Sequence, residues 1–344
     1  MTEAIGTAAG TAAIGDDTWA AALAALDGHD EIVLACHVSP DGDALGSMLA
    51  VAQALVRRGG VRVVPSFSEP FTVPETLRFL PGLDLLVPPD RVPAEPGLLV
   101  TFDTGSADRL GSLAPLVTAA RAVVVLDHHA SNTRYGTVHL VDPAAAATAV
   151  LAADLVARLG VPLDADIAAA LYTGLASDTG SFRYAGTTPE VHALAGRLLA
   201  TGIRHDEIAR AIFDTHPFGW VEMLAAVLAR TRLEPAAAGG RGLVWTWSTV
   251  EDLTSRGLAA DHAESVIDIV RTTAEAEVAV VLKQQPGGEY AVSVRSKGQV
   301  DVSRACVALG GGGHRFAAGF TSYDSVTVTM DRLRGALDDQ GSQP

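Results

Sequence analysis

IVLACHVSPDGDALGSMLAVAQALVRRGG, residues 32–60, decides the architecture. Residues 32–37 form a short apolar run suited to a buried strand. Apolar side chains then recur at helical spacing over 44–58 (Leu45, Met48, Leu49, Ala52, Leu55), and Gly59-Gly60 stops the helix. The pattern continues along the chain. Residues 61–67, 98–103 and 122–127 read as strands, and 148–159, 164–175, 189–200, 206–213 and 217–230 as helices. Strands separated by helices imply an α/β fold: a parallel sheet with right-handed crossovers and flanking helices.

Composition shifts at PAAAGGRG, residues 235–242, a linker-like or hairpin-like segment. Beyond it, 243–247, 278–284 and 290–295 read as strands and 263–271 and 302–309 as helices. A glycine run at 310–313, a short strand near Phe320 and a last helix around 330–337 complete a second, smaller α/β domain. The 344 residues are enough for two domains. The expected boundaries are 17–205 for the first domain, 206–240 for a connecting helix and linker, and 241–338 for the second.

The chain carries 25 Lys+Arg against 40 Asp+Glu, a net charge of −15, with 48% hydrophobic residues and a mean hydropathy of +0.26. That apolar content excludes a mainly disordered chain. The acidic balance disfavours long duplex nucleic acid, which needs many cationic phosphate contacts, but leaves room for a small anion in a local basic pocket. Cys36 and Cys306 each sit in an apolar run and read as buried small hydrophobes rather than a disulfide or zinc site. MTEAIGTAAGTAAIGDD, residues 1–17, lacks the basic and apolar regions of a secretion signal, and no run of about 18 apolar residues exists. The expectation is a cytoplasmic protein with no membrane partner.

His and Asp concentrate where the expected strands end. The first strand runs into His37-Val-Ser-Pro-Asp41-Gly-Asp43, another into Asp103, and another into Asp127-His128-His129; Asp178 follows the helix at 164–175. Ligands of open α/β sheets bind outside the carboxyl ends of the strands. Each piece has a plain structural reading: Asp43 as the cap of the helix starting at 44, His37 as a satisfied core residue, Asp103 as a loop carboxylate. Four segments converging on one sheet edge outweigh them. Crowded carboxylates cannot all ionise without cations. Oxygen and imidazole donors without thiolate suit Mn²⁺ first, with Mg²⁺ or Co²⁺ as alternatives. At least six donors exceed the needs of one ion, which points to a two-metal hydrolase in which a bridging hydroxide attacks.

HVSPDGDALGS (37–47), Asp103 in FDTG (102–105), DHH (127–129) and Asp178 in SDTGSFRY (177–184) resemble the four motifs of the DHH phosphoesterase superfamily. GGGGHRFAAGF (310–320) resembles the glycine-histidine signature of its DHHA1 domain. The resemblance spans about 19–337 and best matches the nano-RNase/pAp phosphatase group. It implies a DHH catalytic domain and a DHHA1 substrate-binding domain with the active site in the cleft between them. It further implies that His37, Asp41 and Asp103 hold one metal, and that Asp43, Asp103, His128 and Asp178 hold a second, with Asp103 bridging. Asp127 would orient an imidazole, and His129 would stand near the scissile phosphate as charge stabiliser or proton donor.

In the second domain, Arg295 and the loop Gly311, Gly312, Gly313 and His314 would bind the substrate's phosphate or nucleotide; for the glycine run alone, a flexible turn is the plain alternative. The implied substrates are oligoribonucleotides of about two to five nucleotides, 3′-phosphoadenosine 5′-phosphate (pAp), and linear or cyclic dinucleotides (pApA, c-di-AMP). The implied assembly is a homodimer. Rivals are a RecJ-like single-strand exonuclease, which would carry a further nucleic-acid-binding domain, and an inactive nucleotide-binding regulatory protein, which would not need the full ligand set.

Overall fold

The computed structural model describes residues 14–338; most of the segment read for a secretion signal lies outside them. The chain divides into two compact units, one up to Thr215 and one from His216.

In the first unit, the strands are β1 (Glu31–Cys36), β2 (Arg62–Ser66), β3 (Leu98–Phe102), β4 (Ala122–Asp127) and β5 (Val138–Val141). They form one sheet in the order β2-β1-β3-β4-β5, parallel throughout. The helices are α1 (Asp16–Asp27), α2 (Gly42–Arg58), the short α3 (Leu116–Ala119), α4 (Thr148–Arg158), α5 (Ala165–Asp178), α6 (Pro189–Leu199) and α7 (His205–Phe213). Because the sheet is covered on both faces, its strands are apolar at almost every position. Ile32, Leu34, Cys36, Val100 and Phe102 enter one core; Val33, Ala35, Leu99 and Val125 enter the other.

Every residue of α2 from Gly42 to Leu55 is buried, and its contact with α5 explains why. A Cβ on Gly46 would stand 2.4 Å from the Ala170 carbonyl oxygen, and one on Gly174 2.7 Å from Asp43 Oδ1. The two glycines let the helices cross at backbone distance, which brings the end of α5 to the start of α2.

The second unit contains α8 (Phe218–Leu228), β6 (Arg232–Glu234), α9 (Ala237–Gly240), β7 (Leu243–Ser248), α10 (Val250–Thr254), α11 (Val266–Val270), β8 (Val278–Gln284), β9 (Tyr290–Ser296), α12 (Val302–Ala308), β10 (Gly312–His314), β11 (Ala317–Ser322) and α13 (Val326–Asp338). Its six strands lie in the order β10-β11-β9-β8-β7-β6; β7 and β8 are parallel and the other neighbours antiparallel.

Several details depart from the sequence reading. α1 and β5 were not anticipated. The segment 206–240 is divided: α7 belongs to the first unit, α8 and β6 to the second. Residues 235–242 close the antiparallel β6–β7 pair, so the hairpin alternative holds. Gly242, at φ +86°, is required there because a Cβ would meet the Glu275 carbonyl at 2.1 Å. The single helix expected at 263–271 is a 3₁₀ turn (Ala260–Ala263) followed by α11. Cys36 and Cys306 are free and buried. Among the described residues, no helix is long and apolar enough to cross a membrane.

Candidate metal centre

β1, β3 and β4 end in register: Cys36 pairs with Phe102, and Phe102 with Leu126. The residues that follow, His37, Asp103 and Asp127–His129, therefore emerge side by side. β1 and β3 are also the neighbours where the winding of the sheet reverses, the place where open α/β sheets bind ligands. α2 starts just after β1, with Asp41 as its N-cap; Asp41 Oδ1 accepts the Asp43 and Ala44 amides at 3.1 and 3.0 Å. This is the role the plain reading gave to Asp43. α5 ends at Asp178, three residues later than expected, because the reversal waits for Gly180 at φ +55°.

Two sets of donors result. His37, Asp41 and Asp103 offer ligand atoms within 4.8 Å of one another, and so do Asp43, His128 and Asp178. His37 Nε2 lies 3.6 Å from Asp103 Oδ2 and 3.8 Å from Asp41 Oδ1. His128 Nε2 lies 3.0 Å from Asp178 Oδ2, 3.4 Å from Asp103 Oδ1 and 3.9 Å from Asp43 Oδ2. Asp103 thus turns one oxygen toward each set. Its own backbone is left-handed, at φ +53°, a conformation that Asp tolerates better than most residues and that clusters at functional sites.

The outer contacts orient these groups. His37 Nδ1 meets the Val38 carbonyl at 2.8 Å and His128 Nδ1 the Ala145 carbonyl at 3.1 Å. A carbonyl can only accept, so Nδ1 carries a proton in either charge state, and Nε2, which faces the carboxylates, is the atom that would bind a metal on losing its own proton. His129 Nδ1 bonds Asp127 Oδ1 at 2.7 Å, and the other Asp127 oxygen accepts from Asn132 Nδ2 at 2.6 Å. Asp43, fully buried, accepts the Thr148 and Ala149 amides at 2.6 and 2.8 Å and the Ser47 hydroxyl at 3.1 Å. Thr148 Oγ1 donates to Asp103 Oδ1 at 2.9 Å. Sequence reasoning missed Ser47, Asn132 and Thr148. Only Thr148 left a signal, as a hydroxyl residue opening a helix.

The charges are mutually dependent. Burial opposes the positive charge of His37, but Asp103 and Asp41 outweigh it and lift its pKa to about 9. His128 is raised in the same way by Asp178, then Asp103 and Asp43. Burial would raise Asp103, yet His37 and the two neighbouring histidines hold it well below the usual carboxylate range. Burial, reinforced by the Asp103 and Asp178 charges, pushes Asp43 up; burial also raises Asp178. Too many carboxylates for the imidazoles to neutralise, presented with the imidazoles in two sets whose donor atoms each lie within 4.8 Å of one another, fit divalent cations.

The second unit carries the other expected residues. Arg295 on β9 pairs with Ala317 on β11, and Ala317 with His314 on β10, so the register places Arg295 and His314 on one face, two strands apart. The glycine run does structural work as well. Gly310, at φ +81°, and Gly311 terminate α12, their amides bonding the Val307 and Cys306 carbonyls at 3.0 and 2.8 Å. A Cβ on Gly311 would lie 2.1 Å from the Gly319 oxygen, and one on Gly313 2.6 Å from Ala318 Cα. The Gly310 and Gly311 amides are thus engaged within the unit, and Gly312 and Gly313 belong to the edge strand β10.

Residues 31–175 match the DHH family, N-terminal domain, and residues 248–340 the DHHA1 domain. The "Bifunctional oligoribonuclease and PAP phosphatase NrnA" of Thermus thermophilus is 35% identical over 301 residues, covering 87% of this chain and 86% of that protein. The protein of the same name from Bacillus subtilis is 24% identical over 313 residues, covering 89% and 95%. The crystal structure of an exopolyphosphatase-related protein from Bacteroides fragilis superposes with a TM-score of 0.83 at 22% identity, covering 96% of this chain and 98% of that one, which supports the fold. With both domain matches in chain order, and a relative more than 30% identical across most of both chains, this chain belongs to the DHH/DHHA1 phosphoesterase family.

Proposed function

We propose that the protein is a divalent-metal phosphoesterase acting on oligoribonucleotides of about two to five nucleotides and on pAp, with pApA and c-di-AMP as further substrates. The observation that carries this reading is Asp103, whose two oxygens face two separate donor sets. Hydrolysis of phosphoester bonds is the activity of the family, and the names of the Thermus and Bacillus relatives support the substrate classes.

In this reading His37, Asp41 and Asp103 hold one ion, and Asp43, Asp103, His128 and Asp178 the other; Mn²⁺ suits the mixed oxygen and imidazole donors. When bound, the ions supply Lewis-acid polarisation of the phosphoryl oxygens and activation of water. The chain's own residues do the rest. Asp127, its second oxygen held by Asn132, accepts a hydrogen bond from His129 Nδ1 and fixes the ring, so that Nε2 is the atom that would face the phosphate. The Asp127 carboxylate favours the protonated ring over the opposing effect of burial, so His129 can stabilise charge on a phosphoryl oxygen or give its Nε2 proton to the leaving oxygen. Residues 17–205 carry this machinery. Residues 241–338 recognise the substrate, with the Arg295 guanidinium suited to a bidentate phosphate contact and His314 on the same sheet face.

A turnover panel with purified protein and Mn²⁺ tests the reading: pAp, pApA, c-di-AMP, RNA of two to five nucleotides, a 24-mer and pyrophosphate. Short RNA and pAp should be consumed fastest. Preference for the 24-mer would favour a RecJ-like exonuclease, and no turnover of any substrate would favour a nucleotide-binding regulator.

A further inference from the structure

α4 begins where both donor sets meet. Its N-cap, Ala147, has no side-chain acceptor for the helix amides. The amides of Thr148 and Ala149 are satisfied instead by the Asp43 carboxylate, at 2.6 and 2.8 Å. Thr148, fully buried, also sends its hydroxyl to Asp103 Oδ1 at 2.9 Å. One residue therefore grips a carboxylate delivered by α2 through its backbone and a carboxylate delivered by β3 through its side chain.

The consequence lies in how Asp103 is aimed. A carboxylate is planar, so a donor fixed to one oxygen sets the direction of the other. With Thr148 on Oδ1, that oxygen remains 3.4 Å from His128 Nε2, and Oδ2 is left 3.6 Å from His37 Nε2. The hydroxyl occupies one lone pair of Oδ1 and leaves the other available. Without it, the plane would rest on the longer histidine contacts at 3.4 and 3.6 Å, and the carboxylate could turn both oxygens toward a single set.

We propose that Thr148 is the positioning residue that makes Asp103 a bridge, so that the centre holds two coupled ions rather than one. This rests on the two-ion reading given above. Groups that orient a metal ligand typically contribute about 10–100-fold to metal affinity.

The test uses the full-length protein and Mn²⁺ alone. Calorimetric titration counts the ions, and low-temperature electron paramagnetic resonance separates an exchange-coupled Mn²⁺ pair from isolated ions. Wild type should bind two ions and give the coupled spectrum. Thr148→Val, of nearly the same shape, should give an isolated-ion spectrum and weaken one ion about 10–100-fold, with its thermal unfolding recorded in parallel to confirm folding. Thr148→Ser should restore the coupled pair. Thr148→Ala, which adds no bulk, should behave as Thr148→Val and stands in for it if valine prevents folding. A coupled spectrum and unchanged affinities in the valine or alanine variant would overturn the role of Thr148. A wild type with only isolated ions would overturn the two-ion reading itself, and this inference with it.

Discussion

Asp43→Ala separates the structural work of a ligand from its chemistry. The carboxylate is fully buried and accepts two backbone amides and one hydroxyl. Alanine leaves the amides of Thr148 and Ala149 at the start of α4 without acceptors, in a place where Ala147 cannot substitute. A buried donor left unsatisfied costs about 1–3 kcal/mol and a lost helix cap about 1 kcal/mol. Against this, the variant removes a carboxylate whose burial, together with repulsion from Asp103 and Asp178, raises its pKa. The net loss should be about 2–4 kcal/mol. At roughly 2–4 °C per kcal/mol for a unit of this size, the metal-free melting temperature should fall by about 4–16 °C. The assay is thermal unfolding by circular dichroism in EDTA, with Asp178→Ala as comparison. The Asp178 carboxylate pairs with His128 at 3.0 Å, its burial is unfavourable, and its removal should cost much less. Both variants should lose turnover, and only Asp43→Ala should show the large fall in melting temperature. A metal-free Asp43→Ala protein melting within about 2 °C of wild type would refute the assignment of Asp43 as the cap of α4.

Gly46→Ala places a Cβ 2.4 Å from the Ala170 carbonyl oxygen and 3.2 Å from the Gly174 nitrogen. The overpacking should cost about 1–3 kcal/mol and outweigh alanine's helical advantage of about 1 kcal/mol; an unchanged or higher urea midpoint would contradict the tight α2–α5 crossing. Arg295→Ala should slow hydrolysis of nucleotide substrates far more than that of bis-p-nitrophenyl phosphate, and equal losses would remove its recognition role. Glu234 is held below the ordinary glutamate range, first by Arg334 at 2.7 Å and then by the Trp245 indole N–H. Its contribution to stability is fully present above the unfolded glutamate value and is lost as pH falls through the lower folded value. Glu234→Gln should therefore flatten the acid limb of a stability–pH curve, and identical limbs would show that the pair contributes nothing.

Much of the first unit was legible because its signals are local. Strands buried on both faces are apolar at nearly every residue, so 32–37, 98–103 and 122–127 stood out; β5 did not, being four residues long with His139 inside it. The turn at 235–242 announced itself by composition but not by function, since a hairpin and a linker draw on the same residues. The glycine run was read as one anion-binding loop. Its first two members also terminate α12, a role that shows only once the end of the helix is placed.

The sequence by itself determined which donors exist and that they follow strand or helix ends: four carboxylates and three histidines near the ends of β1, β3 and β4, and a fifth carboxylate at the end of α5. Those are properties of hydrophobic runs and of the polar residues next to them. Only the tertiary structure decided which donors share a set, which oxygen of Asp103 faces which histidine, and that Asp43 rather than a neighbour of α4 caps that helix. The reason is one of range. Metal ligation and hydrogen bonding act over about 2–3 Å, while the residues concerned are spread from position 37 to 178. The parallel register of β1, β3 and β4 and the glycine-lined crossing of α2 and α5 collapse that separation.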